Sequence, residues 1–281
     1  MPVARWISLL PCGLAAVAGS AESANAAGPE PWEIGFQPPV TPIAQQISGF
    51  NDLLLVIIVA IVVFVLALLL YAMWRFNERR NSRPTRTTHH TVLEVMWTTV
   101  PVIILVIIAI PSFKLLYYTD RVEDADMTIK AIGRQWYWSY EYPDNGNFTF
   151  DSNLIPEEDL KPEQPRLLAT DNNIVLPVDT TVRLLVTASD VMHSFAMPPF
   201  GLKVDAIPGK INESWIYVPE EYAGEIFYGQ CSELCGTGHA YMPIAIEMVS
   251  KERFEQWLAK AKKQFARIEE PIHVAQVPSE E

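Results

Sequence analysis

The chain has 281 residues, 49 % of them hydrophobic, a mean hydropathy of +0.12 and a formal charge of −12. These values are too apolar for a wholly soluble protein and too polar for a many-span membrane protein, so some segments belong in lipid and the rest in water. The acidity argues against nucleic acid as a partner, because phosphate binding needs basic patches. It is also uneven: residues 120–281 carry 27 acidic and 14 basic side chains, residues 1–119 only 6 and 7.

Residues 1–26 resemble a secretory signal peptide, with Arg5, an apolar stretch from Trp6 to Ala18 and a small-x-small signal at Ala24-Asn25-Ala26. Pro11 makes Cys12 a poor match to a lipidation site. Residues 27–50 then form an N-terminal segment ahead of two uncharged runs, Leu53 to Trp74 and Val95 to Phe113. As helices both are long enough to cross a ~30 Å hydrocarbon core. Together they predict a transmembrane hairpin over residues 51–119. Pro101 and Pro111 are tolerable there if neighbours satisfy the freed carbonyls. The connecting loop holds Arg75, Arg79, Arg80, Arg83 and Arg86. Such a loop stays in the cytoplasm, which puts both termini on the periplasmic side.

After Asp120 the apolar runs shorten. Thr128–Gly133, Trp136–Tyr142, Asn173–Leu176, Thr181–Thr187, Ser214–Val218, Glu225–Tyr228 and Ile244–Val249 read as strands, rich in β-branched and aromatic residues and separated by Pro, Gly, Asp and Asn. They predict an antiparallel sandwich or barrel. Lys251–Lys263 reads as an amphipathic helix with Ser250 as N-cap. This domain spans 120–265, and 266–281 form a polar tail.

Between the last two predicted strands lies Cys231-Ser-Glu-Leu-Cys235-Gly-Thr-Gly-His239-Ala-Tyr-Met242. A Cys231–Cys235 disulfide would close a very short loop and add little stability. Two thiolates, an imidazole and a thioether on one loop form a soft donor set that favours copper. A structural zinc site would use Cys and His alone. A second imidazole is available at His193, in Val191-Met192-His193-Ser194, just past the strand Thr181–Thr187. Strand ends gather at one edge of a sandwich, so His193 can meet the loop. Met197 is a rival thioether, but Met242 has the better spacing.

With these residues in place, the chain resembles subunit II of the haem–copper cytochrome c oxidases. The likeness covers nearly all of the sequence after the leader. It includes Arg75-Phe76-Asn77, Glu94-x-x-Trp97-Thr98-x-x-Pro101, Gln135-Trp136-Tyr137-Trp138-Ser139-Tyr140-Glu141-Tyr142, Val191-Met192-His193-Ser194, Asp205-Ala206-Ile207-Pro208-Gly209 and the Cys231–Met242 loop. The resemblance implies a two-helix transmembrane hairpin followed by an all-β, cupredoxin-like Greek-key domain in the periplasm of a bacterial plasma membrane.

It further implies a binuclear copper A centre. Cys231 and Cys235 would bridge two coppers, His193 and Met242 would complete one, and His239 with the backbone carbonyl of Glu233 the other. The Glu233 carboxylate would also hold magnesium at the border with catalytic subunit I, which carries the oxygen-reducing site. The position of Trp136 is where the electron from cytochrome c arrives. By the same resemblance Glu94 would lie at the mouth of a proton path into the catalytic subunit. Glu141, Asp171 and Asp190 match a docking patch for cytochrome c. The remaining partners are subunit I, subunit III and the membrane. A quinol-oxidase relative would lack the copper ligands, and no Cys-x-x-Cys-His haem motif occurs. The competing reading from another class is a membrane-anchored copper-binding or delivery protein of cupredoxin fold.

Overall fold

The structure, a computed structural model, describes residues 28–83, 85–120 and 124–265. The predicted leader and polar tail lie outside the described residues. The first helix, α1 (Pro42–Arg75), begins earlier than the apolar run alone predicts. Its N-cap is Thr41, whose hydroxyl accepts from the Ala44 N–H, with Pro42 in the first turn where no donor is lost. At 34 residues α1 is ~51 Å long, well beyond the ~30 Å a bilayer core needs.

The surplus at its N-terminus docks on the β domain. Val40 N–H donates to the Pro199 carbonyl at 2.9 Å, and Thr41 Oγ1 to the Phe200 carbonyl at 2.7 Å. Gly201, at φ +68°, leaves room for that approach: a Cβ there would sit 2.9 Å from the Ala44 backbone. The second helix, α2 (Thr91–Asp120), ends beside the same domain, where Trp215 Nε1 donates to the Tyr118 carbonyl at 3.2 Å. Within the hairpin the apolar side chains face outward, toward the lipid and neighbouring helices that such a surface requires.

Among the described residues ten strands follow: β1 (Met127–Arg134), β2 (Tyr137–Tyr142), β3 (Phe148–Ser152), β4 (Ile174–Pro177), β5 (Val182–Ala188), β6 (His193–Met197), β7 (Leu202–Ala206), β8 (Asn212–Ile216), β9 (Ile226–Cys231) and β10 (Pro243–Val249). They form two five-stranded sheets, in the orders β3-β2-β1-β5-β8 and β4-β10-β9-β6-β7. The sandwich expectation holds, but its antiparallel character needs correction. The pairs β1–β5 and β4–β10 are parallel, because the chain crosses between sheets before returning to each. Alternation of apolar residues reports which face a strand buries and not its direction. Three strands, β3, β6 and β7, go unread in the sequence. All have five residues, and β6 opens with a histidine and a serine.

The core lies between the sheets and is closed at one end by α3 (Lys251–Gln264). Ser250 caps that helix by accepting from the Arg253 N–H, as predicted. Phe254, Leu258 and Ala261 recur at helical spacing and are buried, while Trp257 and Phe265 join Tyr142, Phe148 and Phe150 in an aromatic cluster. Tyr142 also ties down edge strand β4: its hydroxyl donates to the Val175 carbonyl at 3.0 Å and lies 3.1 Å from the Val175 N–H. Tyr142→Phe would strand both backbone groups in the core. It should lower unfolding stability by about 1–3 kcal/mol, read from the urea midpoint.

Candidate metal centre

Two strand pairings build the site. In the second sheet β6 lies against β9 with Phe195 opposite Cys231, and Ser232 N–H donates to the Ser194 carbonyl. This register brings His193, at the start of β6, over Cys231, at the end of β9, although 38 residues separate them. The 231–242 loop then closes on itself. Cys231 N–H donates to the Met242 carbonyl at 3.0 Å, and a short 3-10 turn at His239–Tyr241 carries the chain back into β10. Met242 is buried at the base of the loop.

The donors converge. Cys231 and Cys235 Sγ are 3.8 Å apart as free thiols, His193 Nδ1 lies 3.8 Å from Cys231 Sγ, and His239 Nδ1 lies 3.6 Å from Cys235 Sγ. The Glu233 carbonyl is 3.4 Å from Cys231 Sγ, and the Glu233 side chain is exposed. Ligand atoms of His193, Cys231 and Cys235 all lie within 4.8 Å of one another, and all three residues are buried. Of the six ligands expected from the sequence, the side chains of Cys231, Cys235, His193 and His239 and the carbonyl of Glu233 meet directly, while Met242 is buried beside them with its backbone carbonyl, not its thioether, bonded to Cys231. Met197, the rival thioether, is a buried β6 residue paired with Leu202.

The chemistry of these groups suits a cation. Burial raises the Cys231 thiol, but hydrogen bonding from His193 and neighbouring backbone outweighs it and brings the group down to about 6. Burial together with the Cys231 thiolate pushes Cys235 up to about 12. A second thiolate therefore forms only when positive charge arrives, so metal binding displaces a proton. Burial lowers His193, but Cys231 and Asp190 more than reverse this and leave it raised. His193 Nε2 faces Asp190 Oδ1 at 2.9 Å, which turns Nδ1 toward the thiols. The same carboxylate accepts from the N–H groups of Gln135 and Val191, both at 2.7 Å. A carboxylate behind a histidine in this way holds the ring and sets its tautomer in metal sites.

Trp136 lies on the rim, 37 % exposed, and its Nε1 donates to the Cys235 carbonyl at 3.1 Å. Gln135 Nε2 donates to the same carbonyl at 2.9 Å. Neither the Gln135 contact nor the Asp190 anchor is read from the sequence. The one signal for Asp190 is an acid three residues before an expected ligand histidine. The expected docking acids all have internal partners: Glu141 pairs with Lys130 at 3.3 Å, Asp171 accepts from Asn153, and Asp190 holds His193. Glu94 stands apart, at the far end of the hairpin. It accepts from the His90 N–H at 3.2 Å while His90 Nδ1 accepts from the Leu93 N–H, a reciprocal cap that starts α2.

Fold and cluster together define a cupredoxin-like protein with two helices long and apolar enough to cross a membrane and a buried cysteine–histidine cluster whose donors suit copper. Comparison with known proteins narrows that class. Residues 127–249 match the family described as cytochrome c oxidase subunit II, periplasmic domain, and residues 29–115 the family's transmembrane domain. The probable cytochrome c oxidase subunit 2 of Rickettsia bellii is 52 % identical over 85 % of this chain and 87 % of its own length. Subunit 2 of Arabidopsis thaliana is 48 % identical over 82 % and 90 %. The crystal structure of the periplasmic domain of subunit II from Bradyrhizobium japonicum covers 52 % of this chain and all of its own, with 53 % identity and a TM-score of 0.48. The chain belongs to the cytochrome c oxidase subunit II family.

Proposed function

We propose that this chain takes electrons from cytochrome c at a binuclear copper centre and passes them to the haem–copper catalytic subunit of a proton-pumping oxidase. The observation that carries the reading is the thiol pair 3.8 Å apart with an imidazole Nδ1 turned to each sulfur. Shared sulfurs flanked by one imidazole apiece suit two metals better than one. Cys231 and Cys235 would bridge, His193 and Met242 would serve one copper, and His239 and the Glu233 carbonyl the other. When bound, such a pair takes up and releases a single electron whose charge is spread over both metals. The protein's part is to hold the donors on strand ends, exclude water by burial and orient His193 through Asp190.

The exposed Glu233 carboxylate is free to share a magnesium ion with subunit I. The arginine-rich loop would lie in the cytoplasm and the β domain in the periplasm. There the acidic surface, with Glu141, Asp171 and Asp190, would steer a basic cytochrome c, Asp190 lying against His193 at the site itself. The deciding experiment loads the purified full-length chain with copper and records stoichiometry and electron paramagnetic resonance. An electron shared by two copper nuclei gives seven hyperfine lines and an electron on one gives four. A four-line spectrum at one copper per chain would point to the delivery-protein reading.

For the proton path we assign Glu94, the carboxylate that starts α2 at the cytoplasmic boundary. Glu94→Ala should slow turnover of the assembled oxidase several-fold while the copper spectrum stays unchanged. Glu94→Gln can still cap the His90 N–H, so it should slow turnover as well if protons, and not the cap, are at stake. Wild-type turnover in Glu94→Gln would leave Glu94 with its capping role alone.

A further inference from the structure

We infer that Gly133 is a positioning residue of the metal centre, and that its missing side chain sets where the His193 imidazole sits relative to the two thiols. This rests on the copper reading above. Gly133 is buried in β1, between Trp138 of β2 and Ala188 of β5, and its backbone lies in the ordinary strand region, which any residue can adopt. Glycine in such a place weakens a strand and gives it nothing to pack, so its presence points to another group coming close.

That group is His193. A Cβ on Gly133 would lie 2.7 Å from the ring Cδ2, 2.9 Å from Cγ and 3.0 Å from Cβ. Carbon atoms in contact prefer about 3.5–4.0 Å, so one of the two residues would have to yield. The inward side chains of β1 shrink toward this end, from Met127 through Ile129 and Ala131 to Gly133. The taper ends where the imidazole enters the space between the sheets.

His193 has little freedom to retreat. Its backbone is paired with Ala206 of β7, and its Nε2 is held by Asp190 at 2.9 Å. The Trp138 ring stands 6.1 Å away, centre to centre. A methyl group at position 133 would drive the ring toward Cys231 and Cys235 or twist it off Asp190. Either movement alters the metal geometry.

The test uses the full-length chain in detergent, with two readouts. In the copper-loaded state, Gly133→Ala should shift the visible absorption bands and the hyperfine pattern away from wild type. A loaded variant with a superimposable spectrum overturns the inference. In the metal-free state, thermal unfolding is compared for wild type, Gly133→Ala, His193→Gly and the double variant. Gly133→Ala should lower Tm by roughly 3–9 °C when His193 is present, as overpacking does, and by much less once the ring is gone. Equal losses in both backgrounds would place the clash elsewhere and overturn it. If Gly133→Ala alone fails to fold, rescue by His193→Gly supports the inference and failure of both sinks it. Should wild type bind no copper pair, the proposed function fails while the unfolding comparison still decides whether Gly133 makes room for His193.

Discussion

Cys235→Ser should abolish the paired-copper signature, leaving at most one copper per chain and a four-line spectrum. Cys235 is nearly fully buried, and its sulfur is within 3.8 Å of Cys231 Sγ and 3.6 Å of His239 Nδ1. A serine of nearly the same shape keeps the packing but replaces a soft, ionisable sulfur with a hard hydroxyl that does not ionise at neutral pH. Copper, above all in its reduced state, binds thiolates and thioethers in preference to such an oxygen. Removing one bridge leaves His239 and the Glu233 carbonyl without the sulfur that would join them to the other metal. Electron transfer from cytochrome c through the assembled oxidase should fall by at least about 1,000-fold, which corresponds to about 4 kcal/mol of barrier. The check is copper content and spectrum beside the thermal midpoint of the metal-free chain. A retained seven-line spectrum would refute the bridging assignment.

Trp136→Phe should slow reduction by cytochrome c by at least about tenfold, about 1.4 kcal/mol of barrier, with the copper spectrum intact. The exposed indole is the aromatic group on the rim, and its Nε1 bonds directly to the Cys235 carbonyl at 3.1 Å. Phenylalanine keeps an aromatic ring for docking and loses that bond. Gln135 Nε2 still donates to the same carbonyl, so the loop is not left unsatisfied and the metal geometry should persist. Rapid-mixing or flash-photolysis measurement of copper reduction separates this step from turnover. An unchanged reduction rate with an intact copper spectrum would remove Trp136 from the electron's route.

Internal partners complicate any test of the acidic docking surface by substitution. Neutralising Asp190 would release His193 as well as a surface charge, and neutralising Asp171 would free the Asn153 backbone. Glu141, paired with Lys130 across β1 and β2, is the cleaner choice. That pair is half-buried, so the thermal midpoint is read beside the association rate, and a slower rate at an unchanged midpoint reads as lost steering.

Much of this architecture was legible before any coordinates. Two uncharged runs bounded by arginines define a hairpin because lipid and water sort residues by local composition alone. The soft donor set on the Cys231–Met242 loop is equally local, and ligand chemistry follows from residue type. The helix after Ser250 was readable for the same reason, since cap and apolar stripe lie within a few turns. Strand direction was not, because apolar alternation looks the same in parallel and antiparallel pairs. Nor does spacing show that α1 begins ahead of its apolar run, where Thr41 seats on Phe200.

The sequence by itself singled out which groups could hold a metal and set them on a β domain that follows two membrane-spanning runs. Only the tertiary structure decided how they meet. The β6–β9 register carries His193 across 38 residues to Cys231, Asp190 turns the imidazole from behind, and the Gln135 and Trp136 donors reach the Cys235 carbonyl from the turn between β1 and β2. Apart from Asp190 and His193, which lie three residues apart, those contacts join residues distant in the chain, and their geometry is set by sheet packing, which no local pattern of residue types encodes.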